Sequence, residues 1–505
     1  MGFYFVHSGA PSGLKATLIK VEVDLGTGIP RFYLVGLPDL AINEARERVR
    51  SAIKNSGLDF HRGVITVNLA PAHLKKHGPL YDLAVAVGII GGGYAWKQER
   101  LADLMLVGEL ALDGKLRPVR GVVTLCELAI KEGFKGIVVP EENAREAAMI
   151  EGLHVYGAGS LRVVIDHLIG VKPIKVQAKT ELVATEFKGQ GFDLSEVRGQ
   201  PLARRALEVA AAGNHHLLLI GPPGSGKTML ARCLPTILPP LTRSEQLEIT
   251  GIHSIAGVLD LDKLITERPF RAPHHTTSQF ALVGGGAQAL PGEISMAHRG
   301  VLFLDELPEY NRGALDALRQ PLEDGEVMVS RVAANNIYPA RPMLVAAMNP
   351  CPCGYAGEAV MLCRCGVKAV EAYQKRVPGP ILDRIDMTVK VERVPIDHLF
   401  SGTLGESSAT VRARVSNAQA WQTERRLTMG AVSNAELRGE SLQKACDLGV
   451  RERGMVTAAG EKMGLSARGL TRVLRVARTI ADLKDQSRVT SAELLEALQF
   501  RCRLG

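Results

Sequence analysis

Apolar residues along this chain follow three rhythms, and each predicts a different kind of element. Between residues 193 and 395 they come in short unbroken runs: Leu217-Leu218-Leu219-Ile220, Val301-Leu302-Phe303-Leu304 and Met343 to Met348. Runs of this length, each leading into a polar or glycine-bearing turn, predict parallel strands covered on both faces. Helical spacing over 201–212 and in Met229-Leu230-Ala231-Arg232-Cys233-Leu234 places helices around the first run, so the region reads as α/β. In residues 1–170 the rhythm is instead alternation, over 18–24 and 63–69. Helices are predicted there over 40–56 and 81–90, and residues 108–116 read as two short strands around Asp113-Gly114, an α+β pattern. From Ser407 onward the spacing is helical, predicting helices over 409–424, 441–463, 467–483 and 491–501. Thr490 is placed to cap the last of these, with Glu493 completing a capping box. A polar stretch with Lys172, Lys175, Lys179 and Lys188 divides the halves. The expected organisation is therefore 1–170, a linker over 171–192, a core over 193–395 and a helical lid over 396–505.

The first apolar run empties into Gly221-Pro222-Pro223-Gly224-Ser225-Gly226-Lys227-Thr228 and then a helix, the strand–loop–helix order of a P-loop. Glycines let backbone N–H groups converge on phosphate oxygens, and the helix N-terminus adds its positive end. Lys227 would reach the β/γ-phosphates of ATP and the Thr228 hydroxyl would ligate Mg²⁺. The second run ends in Asp305-Glu306, where Asp305 would hold the Mg²⁺ shell and Glu306 would polarise the attacking water. The third delivers Asn349, whose amide can orient that water. In Gly379-Pro380-Ile381-Leu382-Asp383-Arg384-Ile385-Asp386 an arginine stands between two acids. Its planar fork suits a neighbouring subunit's γ-phosphate. Cys351-Pro352-Cys353 and Cys363-Arg364-Cys365 group four of the eight cysteines in a way that favours a metal, with zinc about 2.3 Å from each thiolate. His274 and His275 are adjacent on a loop, a poor arrangement for a metal pair.

From about Val197 to the end the chain resembles AAA+ ATPases of the magnesium chelatase-like branch, and within it the bacterial YifB/ComM group. The markers are GPPGSGKT, RPFRAPHHT from Arg268 to Thr276, GVLFLDELPEY, MNPCPCG and ILDRID. The resemblance implies an AAA+ P-loop core with a helical lid. It also implies a ring, a hexamer in that group, acting as a DNA helicase that promotes branch migration in homologous recombination and natural transformation. The implied partner is single-stranded or branched DNA. By the same resemblance residues 193–200 contact adenine, and Arg468, with Arg472 in reserve, is the lid arginine that senses nucleotide. Two insertions flank the Asp305-Glu306 strand, one over 270–294 and one over 326–342. The second reads as a hairpin of 327–330 and 336–339 with a tip over 331–335. In related helicases such hairpins line the central pore, which makes Arg331 the phosphate-gripping candidate.

The N-terminal region resembles the ribosomal-S5-like fold of the Lon protease domain. The pieces that match are Gly78-Pro79 before the predicted helix, Gly108-Glu109, and Ile137-Val138-Val139-Pro140. Where Lon has its nucleophilic serine this chain has Leu80, Tyr81 and Asp82, and no lysine falls in 119–125. A protease dyad is missing.

Charge refines the picture without deciding it. Of the net +8, residues 411–505 carry 17 Lys+Arg against 10 Asp+Glu, or +7. Such an excess serves phosphate contact and solvated helix faces equally well. No apolar stretch reaches the ~18 residues that span a bilayer, and the first 20 residues lack a secretory pattern, so a cytoplasmic location without membrane contact is expected. Three functions remain open on sequence: an ATP-driven DNA motor, a chelatase-type ATPase that remodels a protein partner for metal insertion, and an ATP-dependent protease, which the missing dyad opposes.

Overall fold

The structure is a computed structural model. It describes residues 2–36, 40–72, 76, 78–93, 101–179, 192–259, 264–286, 289–331, 334–358, 361–394, 405–430 and 433–501. The first unit is built on β1 (Gly2–Ser12), β2 (Lys15–Gly26), β3 (Arg31–Val35), β4 (Val64–Ala70) and β5 (Leu104–Leu106). A ribbon of β6 (Glu109–Leu110) and β7 (Leu116–Arg117) follows, then β8 (Gly136–Pro140) and β9 (His154–Ala158). Seven of these form one mixed sheet in the order β3-β4-β2-β1-β5-β8-β9. The alternation seen in β2 and β4 is that of strands with one buried face: Ile19, Val21, Val23, Ile65 and Val67 are all inside. The helix Asp82–Ile90 has no polar face and is buried along its whole length. Leu80, Tyr81 and Asp82 are all buried. Burial pushes the Asp82 carboxyl up to about 6 even though Arg48 donates to it at 2.9 Å.

The second unit is a parallel sheet ordered β11-β14-β17-β10-β18: Phe270–Arg271, Val301–Leu304, Met343–Met348, Leu217–Ile220 and Met387–Lys390. The three central strands, β14, β17 and β10, are those predicted from unbroken apolar runs, and every residue in them is buried. Two excursions leave the sheet between strands. One carries β12 (Gly284–Gly285) paired with β13 (Leu290–Pro291). The other is the hairpin of β15 (Glu326–Arg331) and β16 (Ala334–Pro339). Pairing reaches Arg331↔Ala334, so the tip is shorter than the 331–335 expected. The side chain of Arg331 lies outside the described residues.

The first unit sits on the helix Arg243–Ala256. Ser254 Oγ donates to the buried Glu146 carboxylate at 2.5 Å and accepts from the Gly121 N–H at 3.1 Å. Ser12 Oγ also donates to Asn336 Oδ1 on β16 at 2.9 Å.

The third unit is helical: Ser408–Met429, Gly439–Cys446, Val450–Met463, Ala467–Leu483 and Ser491–Gln499. The single helix predicted over 441–463 is two. Asp447 ends the first in the left-handed region at φ 45°, and Gly449 starts the second. The Thr490/Glu493 capping box is present. Several of its basic residues are held in ion pairs. Arg414 pairs with Glu208 at 2.6 Å and with Glu406 at 2.8 Å, and Lys484 pairs with Glu493 at 2.9 Å. Fully buried Arg478 donates to Asp482 at 2.8 Å, where Arg425 and Asn434 Nδ2 also converge. No helix among the described residues is long and apolar enough to cross a membrane.

Removing the shared anion of that buried cluster leaves Arg478 without a counter-charge. Asp482→Ala is expected to destabilise the lid by about 3–5 kcal/mol, read as a lowered denaturant midpoint. A loss below ~1 kcal/mol, the scale of an exposed pair, would show that water reaches the cluster.

Candidate nucleotide-hydrolysis site

A parallel sheet brings the carboxyl ends of its strands to one edge, and here that edge collects the chemistry. Ile220 of β10 lies beside Met348 of β17, and β17 lies beside β14. The residues that follow these strands, Gly221 to Thr228, Asn349 and Asp305-Glu306, are therefore neighbours. The loop needs its glycines for two separate reasons. At Gly221 a Cβ would stand 2.2 Å from the Val391 carbonyl oxygen. Gly224 and Gly226 take φ of 75° and 87°, turning the chain into the helix Lys227–Ile237. Pro222 and Pro223 stiffen the entry, and Ser225 is buried in the turn.

The side chains are already in mutual contact. Lys227 Nζ donates to the carbonyls of Gly221 (2.8 Å) and Pro222 (2.9 Å) and to Asn349 Oδ1 (3.2 Å). Burial lowers its pKa, and the nearby Asp305 and Glu306 carboxylates partly oppose that. Thr228 Oγ1 donates to Asp305 Oδ2 at 2.8 Å, placing side by side the two oxygens suited to a shared Mg²⁺ shell. Asp305 Oδ1 accepts the Glu306 N–H at 3.0 Å. Glu306 itself adopts φ 53°, a left-handed conformation that costs a non-glycine residue of order 1 kcal/mol or more. Its carboxylate stands 3.2 Å from His275 Nδ1. Sequence reasoning weighed His275 only as half of a metal pair and missed this contact, which depends on β11 lying beside β14.

Arg384 and Arg468 are elsewhere. Both line a cleft of about 550 Å³ together with Asn214, His216, Arg341 and Asp386. Those four lie at or just before the starts of β10, β17 and β18, so the cleft opens on the edge of the sheet opposite the glycine loop. Arg384 donates to the carbonyls of Arg319 (3.1 Å) and Pro380 (2.7 Å) and pairs with Glu323. Arg468 is exposed, whereas Arg472 is buried against Asp383.

The four cysteines Cys351, Cys353, Cys363 and Cys365 come together, all sulfurs lying within 4.8 Å of one another. Three of the pairs measure 3.4, 3.6 and 3.6 Å. A tetrahedron with ~2.3 Å zinc–sulfur bonds has edges of about 3.8 Å. The Ala356 and Cys365 N–H groups point at Cys351 and Cys363 Sγ at 3.3 and 3.4 Å, as hydrogen-bond donors to thiolates do. Gly354, at the turn of this knuckle, rests on Pro223 of the glycine loop: a Cβ there would come within 2.5 Å of Pro223 Cδ.

Comparison with known proteins agrees with this geometry. The magnesium chelatase subunit ChlI family matches residues 193–399, its ChlI subunit domain matches 21–143, and its C-terminal domain matches 405–501. The chain is 43% identical to YifB of Escherichia coli over 504 residues, covering 99% of this chain and 97% of that one. It is 42% identical to the competence protein ComM of Haemophilus influenzae over 508 residues, with 99% and 98% covered. This chain belongs to the YifB/ComM family of magnesium chelatase-like proteins. The 38 kDa magnesium-chelatase subunit of Cereibacter sphaeroides is 26% identical over 251 residues, 45% of this chain and 72% of that protein. The fold class is accordingly an AAA+ core with a C-terminal helical domain behind an N-terminal α+β domain. Membership of this family implies an ATPase that uses ATP and Mg²⁺.

Lys227→Ala is expected to abolish ATP turnover, because a preorganised cation at the phosphates contributes on the scale of ~10²-fold or more. Glu306→Gln should retain ATP but not split it. Single-turnover hydrolysis and filter-bound nucleotide separate the two, and wild-type turnover in either variant would remove these residues from the site.

Proposed function

We infer that the protein is an ATP-hydrolysing, ring-forming DNA motor, a helicase acting on single-stranded or branched DNA during recombination and competence. The observation that carries the ring is the separation of Arg384 and Arg468 from Lys227 and Glu306 across the sheet. Only a second copy can bring the arginine edge of one subunit to the glycine loop of another, so the working site is an interface, closing most simply as a hexamer. In this reading ATP sits on Gly221 to Thr228, with Mg²⁺ held by Thr228 and Asp305. Glu306 accepts the proton of the attacking water, and Asn349 orients that water. Arg384 and Arg468 of a neighbour meet the γ-phosphate charge that develops in transfer, a role worth roughly 10³–10⁵ in rate where arginine fingers have been measured. The hairpin β15–β16 leaves the sheet between the Asp305 and Asn349 strands, so a change at the nucleotide reaches it through both of its roots. Arg331 at its end is the phosphate-gripping residue. The competence name of one relative supports DNA as partner, and a reducing cytoplasm suits a cluster of free thiols. The similarity to a magnesium-chelatase subunit favours a second reading, a chelatase-type ATPase that remodels a protein partner. DNA-stimulated ATP hydrolysis distinguishes the motor from it.

The decisive assay is ATP-dependent unwinding of a forked duplex or a four-way junction by purified protein. Arg331→Ala is expected to lose unwinding, with DNA affinity falling equally across sequences and a salt slope shallower by about one. Basal ATPase should persist. Full unwinding by Arg331→Ala would move the DNA path off the hairpin, and no DNA stimulation of the wild type would favour the protein-remodelling reading.

The Cys351, Cys353, Cys363 and Cys365 cluster is assigned one zinc that braces the loop between Asn349 and the glycine loop. Elemental analysis of protein purified without chelator should return about one zinc per chain, falling toward zero in Cys353→Ser/Cys363→Ser. Metal-free protein with full ATP affinity would reduce the cluster to packing.

A further inference from the structure

The cysteine knuckle carries apolar side chains that the rest of the chain leaves in water. Leu362 is 89% exposed and Val367 75%, and they stand on either side of Cys363 and Cys365, whose sulfurs are drawn into the quartet. Met361, next to Leu362, is exposed as well. The helix Val367–Gln374 that follows buries only Tyr373, so it lies on the core with most of its surface bare. Surface aliphatics scattered singly need no explanation. Three in one short segment, held by a knuckle, are the kind of centre that a second surface covers. The knuckle is also fixed to the nucleotide edge. Gly354 rests on Pro223, Gln374 Nε2 donates to the Pro350 carbonyl at 3.2 Å, and Lys390 Nζ, at the end of β18, donates to the Gly357 carbonyl at 3.4 Å.

Charge says what could cover it. The rim of the patch is basic: Arg364 and Lys368 are exposed and have no ion-pair partner among the described residues. On the opposite edge of the sheet, the turn between the helix Arg319–Asp324 and β15 is acidic. Asp324 and Glu326 are exposed there, again with no ion-pair partner among the described residues. Asp324 lines the same cleft as Arg384. One patch therefore lies beside the glycine loop and the other beside the arginines, with opposite charge. A patch complementary to a different part of the same chain makes head-to-tail contacts, and such contacts can close into rings.

We propose that the knuckle and the helix Val367–Gln374 are a docking surface for a second copy of this chain. The neighbour covers Leu362 and Val367, and its Asp324 and Glu326 meet Arg364 and Lys368. The proposal rests on the ring reading above and supplies that ring with a register. The knuckle that touches Pro223 brings the neighbour's arginine edge to the glycine loop. The apolar centre provides affinity, and the charged rim selects the partner surface and its orientation.

The test is assembly of the full chain with ATP, followed by sedimentation velocity over a concentration series. Leu362→Asp should raise the concentration at half-assembly about 30-fold or more, the scale of a central interface side chain, with its circular dichroism and thermal midpoint unchanged. Arg364→Glu/Lys368→Glu and Asp324→Lys/Glu326→Lys should each raise it about 10-fold or more on their own, since like charges then face each other. An equimolar mixture of the two should form rings again, because every contact in an alternating ring pairs a reversed patch with its match. That recovery also shows that both variants are folded. Assembly of the reversed variants at the wild-type midpoint, or a mixture that assembles no better than its components, overturns the proposal. Variants that assemble normally but no longer bind a fluorescent single strand would give the surface to DNA and overturn it equally. A wild type that stays monomeric with ATP at every concentration removes the ring reading itself, and the docking surface with it.

Discussion

Everything functional here depends on a parallel sheet whose strands finish together. Three apolar runs with no polar side chain can be buried only between two layers of helix, and that burial fixes their order and register. Once β10, β17 and β14 lie side by side, Lys227, Asn349 and Asp305-Glu306 have no other place to be. The hydrogen bonds among them, Lys227 to Asn349 and Thr228 to Asp305, are the local consequence of that register. The strained φ of Glu306 is a second consequence. The chain must turn sharply off β14 while presenting a carboxylate, and the tightly packed sheet beneath is what can hold it there.

The opposite edge obeys another constraint. There the helical unit joins the core through charge rather than through apolar packing alone. Arg472 donates to the Asp383 carbonyl, Arg414 of the helical unit pairs with Glu208 of the core, and Arg205 of the core pairs with Glu496 of the helical unit. Such clusters cost desolvation and return it only when every partner is in place. They specify one arrangement of lid on core, and with it the cleft where Arg384 and Arg468 meet. Some of the lid's basic charge, Arg472 and Arg414 among it, therefore goes to building this joint.

Local signals were the most legible part of the sequence. The glycine loop, the strand-end acids, the Thr490 cap and the cysteine quartet are each contained within a dozen or so residues, so their spacing alone carries the geometry. What sequence missed is non-local. The break at Asp447 to Gly449 is invisible to periodicity because the apolar spacing continues across it. The hairpin tip is shorter than its residues suggest because Arg331, Ala334 and Asn335 are polar or small, as turn residues are, although their backbones pair. His275 sits beside His274 in the chain, but its partner Glu306 stands 31 positions away, past the end of another strand.

Placing the arginine edge of a subunit across the sheet from its own glycine loop also bears on inheritance. In a ring built this way each chain owns half of two sites, so a chain that folds and assembles but lacks Arg384 damages a site whose other half is sound. Loss of folding, as when the Asp482 cluster fails, removes a subunit quietly and leaves rings to the remaining good copies. If Arg384 completes a neighbour's site, the two kinds of lesion should differ in a cell carrying both forms of the gene: arginine-edge variants act dominantly, and variants of the buried lid cluster are recessive.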